Sequence, residues 1–116
     1  MVVRLPEQER ADQVFHALAD RTRRDIVRRS LQGEYSVSAL ARAYDMSFAA
    51  VQKHVAVLER AGLVTKRQHG RQRLVRGNVE TVRDASRLLD QFEAMWRRRI
   101  DRIGEVLADE SKGDTP

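Results

Sequence analysis

At Gly62 the apolar residues of this chain stop recurring every three or four positions and begin to alternate. Before that point Val51, Val55 and Leu58 fall at i, i+4 and i+7, one face of a helix that opens at Ser47 and stops at Gly62. After it, residues 63–68 and 71–76 read as extended segments on either side of His69-Gly70, a turn that suits a β-hairpin. Just upstream, Ser36 can cap another, shorter helix in which Val37, Leu40, Ala41 and Tyr44 face inward. Asp45-Met46-Ser47 is the tight link between the two helices, and Ser47 caps the second. Few arrangements accept two short helices, a three-residue link and a hairpin in that order.

The flanking segments are helical. Pro6 and the acids behind it suit a first helical turn, and Ala11, Val14, Phe15 and Leu18 form one apolar stripe. Asp20 is a good N-cap for a second helix through Leu31, with Ile26, Val27 and Leu31 inside and Gly33 ending it. Gly77-Asn78 breaks the hairpin and opens a long helix over 79–108. There Val82, Ala85, Leu89, Phe92, Trp96, Ile100, Ile103 and Leu107 keep alternating spacings of three and four. The first and third helices of the same chain are one possible cover for that stripe. With 116 residues in all, and Trp96 projecting past the compact part, a second copy is the better cover. The expected fold class is mostly α with a small β-hairpin wing, a winged helix-turn-helix dimerising through its first and last helices. One domain spans 1–110, with the helix-turn-helix at 36–62, the wing at 63–76, and a disordered polar tail at 111–116.

Composition removes several classes of function. No stretch is apolar for long enough to span a membrane, and Met1 to Arg10 lack the apolar core of a signal peptide, so a cytoplasmic location is expected. The chain has no cysteine, which excludes disulfides, thiolate metal sites and thiol nucleophiles together. Its carboxylates fall on solvated helix faces, and no Gly-rich phosphate loop or Ser/His pairing suggests catalysis, so no enzyme and no cofactor are expected. Net charge is +5, and its placement matters more than its sum. Arg21, Arg23, Arg24, Arg28 and Arg29 face only Asp25 within 21–33, a stretch that could equally be a solvated arginine face. Residues 63–78 carry Lys66, Arg67, Arg71, Arg73 and Arg76 with no acid, as a polyanion-binding strip would.

A helix fits the major groove of B-DNA and points the side chains of its N-terminal half at base edges. On the helix from Ser47, the row opposite Val51, Val55 and Leu58 includes Ala49, Gln52, Lys53 and Ala56. Gln52 can bond adenine at N6 and N7, and Lys53 can reach guanine or a phosphate. Ala49 can touch thymine methyls; Phe48 can do so too, or pack inward as a staple against the preceding helix. The expected DNA contacts are Ser47, Phe48, Ala49, Gln52, Lys53, His54, Lys66, Arg67, His69, Arg71 and Arg73, the wing residues acting through counterion release. The expected dimer contacts are Val14, Phe15, Leu18, Leu89, Phe92, Trp96, Ile100 and Ile103.

Three segments, Leu18 to Val27, Ser47 to Val64 and Arg67 to Arg71, resemble the ArsR/SmtB family of bacterial repressors, and the likeness covers roughly residues 11–107. The resemblance implies a homodimer on an imperfect inverted repeat, released or weakened by an inducer. Arg21 stands where many members have proline. Ser36 and Ser38 stand where arsenic-sensing members have cysteines, and serine is a poor ligand for soft metals. Zinc-sensing members use Asp and His pairs along the last helix; here residues 79–107 hold Asp84, Asp90 and Asp101 but no histidine. His54 matches a histidine common in the family's recognition helix, where packing or a phosphate contact is expected. His16 reads as a helix-surface or interface residue, and His69 as a wing-tip residue. No metal site is therefore expected, and Leu89, Phe92 and Trp96 resemble the family's metal-independent branch. The effector is not legible.

Another reading is a dimeric winged-helix module that binds protein, for which an acidic or apolar wing would be the signature. An apolar effector could also sit near Phe92, Met95 and Trp96, although simple interface packing accounts for those residues.

Overall fold

The computed structural model describes residues 5–113. Its elements are α1 (Leu5–Leu18), α2 (Arg21–Gln32), β1 (Tyr35–Ser36), α3 (Val37–Arg42), α4 (Phe48–Arg60), β2 (Val64–His69), β3 (Gln72–Gly77) and α5 (Val79–Gly113). This is the expected mostly helical chain with a winged helix-turn-helix. Among the described residues no helix is long and apolar enough to cross a membrane.

Side-chain caps set three of the helix starts. Asp20 Oδ1 accepts from the Arg23 N–H at 3.0 Å, Ser36 Oγ from Ala39 at 3.0 Å and Ser47 Oγ from Ala50 at 3.1 Å. Each satisfies one of the amides that the first helical turn leaves without an internal partner. The stop at Gly62 is a Schellman motif. The Leu63 N–H reaches the Leu58 carbonyl and the Gly62 N–H reaches the Glu59 carbonyl, both at 3.0 Å, while Gly62 sits at φ +77°. A side chain there would be strained, so the change of period seen in the sequence coincides with a position built for glycine.

The wing is part of a three-stranded antiparallel sheet in the order β1-β3-β2. Sequence patterning points only to the hairpin. The third strand is Tyr35–Ser36, pairing with Val75 and Leu74, and two residues are too few to show a period. The turn also differs by one residue from the expected His69-Gly70. His69 pairs with Gln72, so the loop is Gly70-Arg71. Gly70 has φ +63°, and among the described residues only glycines have positive φ, which fits the two-residue II′ hairpin with glycine first.

Ala17, Ile26, Leu40, Val51, Val55, Leu58, Leu63 and Val75 are fully buried. Two expectations for helix faces shift. On α2 the third inward position is Ser30, 2% exposed, whereas Leu31 is 43% exposed and lies across Gly77. On α1 Ala17 takes the deepest place, while Phe15 is 37% exposed. α3 ends at Arg42, so Tyr44 lies in the link after it and still turns inward, half-buried.

The chain divides into two compact units, one ending at Arg83 and one beginning at Asp84. The first contains the helix-turn-helix and sheet. In it the start of α5 is pinned: Thr81 Oγ1 donates to the Gly62 carbonyl at 2.7 Å, and the Asn78 N–H donates to the Leu63 carbonyl at 2.9 Å. The second unit is the remainder of α5. There Leu89, Phe92, Met95, Trp96, Ile100, Ile103, Val106 and Leu107 are each about half exposed. α5 continues to Gly113, through the first part of the expected tail; residues 114–116 lie outside the described residues.

Candidate nucleic-acid interface

The helix that begins at Ser47 divides cleanly into two faces. Val51, Val55 and Leu58 are fully buried, and Ala49, Gln52 and Lys53 are exposed opposite them. Phe48 opens the helix 49% exposed, which is not the burial an inward staple would have. Ser47 is exposed with its hydroxyl engaged as the cap. Gln52 and Lys53 make no hydrogen bond or ion pair among the described residues, so both are free to meet an outside partner.

On the wing, cross-strand partners share a face. Lys66 pairs with Val75 and Gln68 with Arg73, on the face that buries Val64 and Val75. Arg67 pairs with Leu74 and His69 with Gln72, on the other. The acid-free appearance of this strip in sequence does not survive folding. Lys66 Nζ lies 3.6 Å from Glu59 of α4, and Arg67 Nε donates to Glu34 at 2.7 Å, 33 positions away. Arg67 holds the Glu34 carboxyl below its ordinary pKa. Neither acid was legible as a wing neighbour, because only the fold brings them there. Arg71 and Arg73 are exposed and have no ion-pair partner among the described residues. Arg71 and Arg73 thus place uncompensated positive charge at the tip, while Arg76, exposed near the base of β3, acts on Glu34 only through space.

The other basic segment is largely internal wiring. Arg23 and Arg24 donate to carbonyls at the end of α1, from Arg23 Nε to Ala17 at 2.7 Å and from Arg24 Nη1 to Leu18 at 2.8 Å. Such groups are the orphan acceptors of a helix C-terminus. Arg28 and Arg29 both bind Asp25, at 2.6 and 2.8 Å. The Tyr44 hydroxyl donates to the same carboxylate at 2.5 Å. These donors, Tyr44 first, hold Asp25 well below the usual carboxylate range. Burial, then Asp25, pushes the Tyr44 phenol up to about 12. Arg21 alone of the five arginines lacks such a contact among the described residues.

His54 is half-buried beside the inner row of its helix, with Nδ1 3.4 Å from Arg23 Nη1. His69 is exposed next to the tip and His16 is exposed on α1. Of the expected dimer contacts, Val14 is only 6% exposed, packed within its own chain. Leu18 is half-buried and Phe15 exposed. Leu89, Phe92, Trp96, Ile100 and Ile103 are exposed along the second unit, where Arg99 lies over the Trp96 ring. Ser36 Oγ is engaged as a helix cap, and no group of three His, Asp or Glu side chains placed to hold a metal occurs among the described residues.

Comparison with known proteins gives concordant likenesses. A family model described as a helix-turn-helix domain matches residues 18–67. The HTH-type transcriptional regulator Rv2034 of Mycobacterium tuberculosis is 35% identical over 103 residues, covering 89% of this chain and 92% of that protein. An ArsR-like transcriptional regulator from Rhodococcus sp. RHA1 superposes with a TM-score of 0.78 at 29% identity, covering 88% of this chain and 96% of the other. The homodimeric winged helix-turn-helix DNA-binding domain of Mb0332 from Mycobacterium bovis superposes with a TM-score of 0.59 at 25% identity, covering 82% and 85%.

Proposed function

The chain belongs to the ArsR family of winged helix-turn-helix transcriptional regulators, and we propose that it is a cytoplasmic repressor that binds an inverted-repeat operator as a homodimer. The observation that carries the DNA-reading part is the division of α4. One face is locked into the core, and Ala49, Gln52 and Lys53 stand on the other without partners. Gln52 and Lys53 then read base edges, and Arg71 and Arg73 bind flanking phosphates. Half-sites about one helical turn apart match a two-fold dimer. Phe15 in the first unit and the exposed apolar stripe of α5 in the second each offer apolar surface to a second copy, as the homodimer of the Mycobacterium bovis protein suggests. The regulator does not answer to metal through the positions used elsewhere in the family, since Ser36 is a helix cap and α5 holds no histidine. No catalytic role is proposed.

The test is a mobility-shift titration with the DNA upstream of the protein's own coding region. A shift at low salt that weakens steeply as salt is raised supports the reading. A protein that leaves this DNA unshifted at low salt overturns it.

A further inference from the structure

One guanidinium joins three helices. Arg23 of α2 donates Nε to the Ala17 carbonyl at 2.7 Å and Nη2 to the His16 carbonyl at 3.0 Å, both in the last turn of α1. Its third edge, Nη1, lies 3.4 Å from Nδ1 of His54 in α4. Arginine can only donate, so Nδ1 must be the unprotonated nitrogen and the ring proton sits on Nε2. Arg23 is not free to adjust, because two carbonyls hold its side chain and its own N–H is bound by Asp20.

We propose that His54 does not face DNA but is the acceptor through which Arg23 braces the recognition helix against α1, and that protonating it releases the brace and weakens DNA binding. This rests on the DNA-reading role of α4. A protonated ring would turn an N–H and a positive charge toward a guanidinium that carries both already. Among the described residues, Asp20 is a charged group that also acts on the ring. It attracts the charged form, and its Oδ1 is committed to capping α2. No hydrogen bond or ion pair reaches His54 from α3 or the sheet among the described residues. His54 lies next to Lys53 in the chain and two positions from Gln52, so a shift of α4 at this point moves the reading face. A histidine placed against phosphate would respond in the opposite sense, binding DNA more tightly as it gains charge.

The first measurement needs no DNA. Nitrogen chemical shifts of the His54 ring in the full chain should report the Nε2–H tautomer at high pH, and an Nδ1–H tautomer overturns the proposal. The second uses a duplex enriched by the wild-type protein from random-sequence DNA at about pH 8. Affinity is followed to about pH 5 at fixed salt, the span over which histidine gains its proton. Wild type should lose roughly five- to tenfold more affinity than His54→Asn, whose amide oxygen, bonded to Cγ as Nδ1 is, accepts from Arg23 at every pH. His16 and His69 are common to both proteins and cancel in the comparison. If wild type instead gains affinity that His54→Asn does not, His54 touches phosphate and the proposal fails. Should no duplex be enriched, the DNA reading falls, and the ring tautomer alone decides the brace.

Discussion

The Tyr44 hydroxyl donates to Asp25 Oδ2 across 19 positions of sequence, fastening the link before the recognition helix to the middle of α2. Arg28 and Arg29 hold the same carboxylate, so one acid carries donors from two parts of the fold. Removing the hydroxyl leaves a partly buried charge one donor short. Tyr44→Phe should cost about 1 kcal/mol in urea unfolding, less than a fully buried charged hydrogen bond because Asp25 retains its arginines and some water. A variant as stable as wild type would show that the hydroxyl contributes nothing.

This pair also contributes to the pH dependence of stability. Asp25 is held below its ordinary value, so its contribution is present above the unfolded carboxylate range and lost as pH falls through and below it. Tyr44 is raised to about 12, so its contribution is complete below the unfolded value near 10 and disappears as pH rises toward 12. Denaturant midpoints measured across pH should fall at both ends. Asp25→Asn should flatten the acid limb, and an unchanged limb would assign that loss to other carboxylates.

Arg71 and Arg73 have no acidic partner among the described residues, whereas Arg67 is held by Glu34. Replacing Arg71 and Arg73 together with alanine should reduce the salt slope of DNA affinity by roughly 2, about one unit for each phosphate no longer neutralised. Arg67→Ala should change it less than Arg71→Ala does. The reverse order in a binding titration at several salt concentrations would place the DNA-facing surface on the other side of the wing.

A β-carbon at Gly77 would lie 2.7 Å from Leu31 Cδ2 and 2.9 Å from the Leu31 backbone nitrogen. A side chain can turn away; a helix backbone cannot. Gly77→Ala should therefore destabilise by about 1–3 kcal/mol, and trimming Leu31 to alanine in the same chain should not restore it. Full recovery in the double variant would show that only the side chain was in the way.

Ser30 is 2% exposed and its hydroxyl has no hydrogen-bond partner among the described residues. Ser30→Ala removes an unsatisfied polar group and adds a better helix former. It should leave stability unchanged or raise it by up to about 1 kcal/mol, read from the denaturation midpoint. A clear loss would mean that the hydroxyl is satisfied by water.

The helix caps at Asp20, Ser36 and Ser47 and the stop at Gly62 were legible because each is a local event within a few residues of chain. So was the inner row of α4, whose period repeats twice. Leu31 was misplaced because it lies at the rim of the inner face of α2, whereas Ser30 falls between Ile26 and Val27 on the helix circumference and its polarity hides the position. The short strand at Tyr35–Ser36 has no period to read. Charge was the least legible. Whether an arginine meets solvent, a helix end or a distant glutamate depends on partners 6 to 33 positions away, as Arg23, Arg24 and Arg67 illustrate.

The order of synthesis gives the division at Arg83 and Asp84 a further meaning. The ribosome completes the first unit before it makes the half-exposed apolar stripe of α5. The residues from Asp84 to Gly113 then take roughly 2–6 s at ordinary elongation rates. A chain built in this order brings its first unit out of the ribosome ahead of the stripe, so the first unit can close before the stripe meets solvent. The stripe then emerges already attached to a closed core, with less nascent apolar surface beside it to stick to.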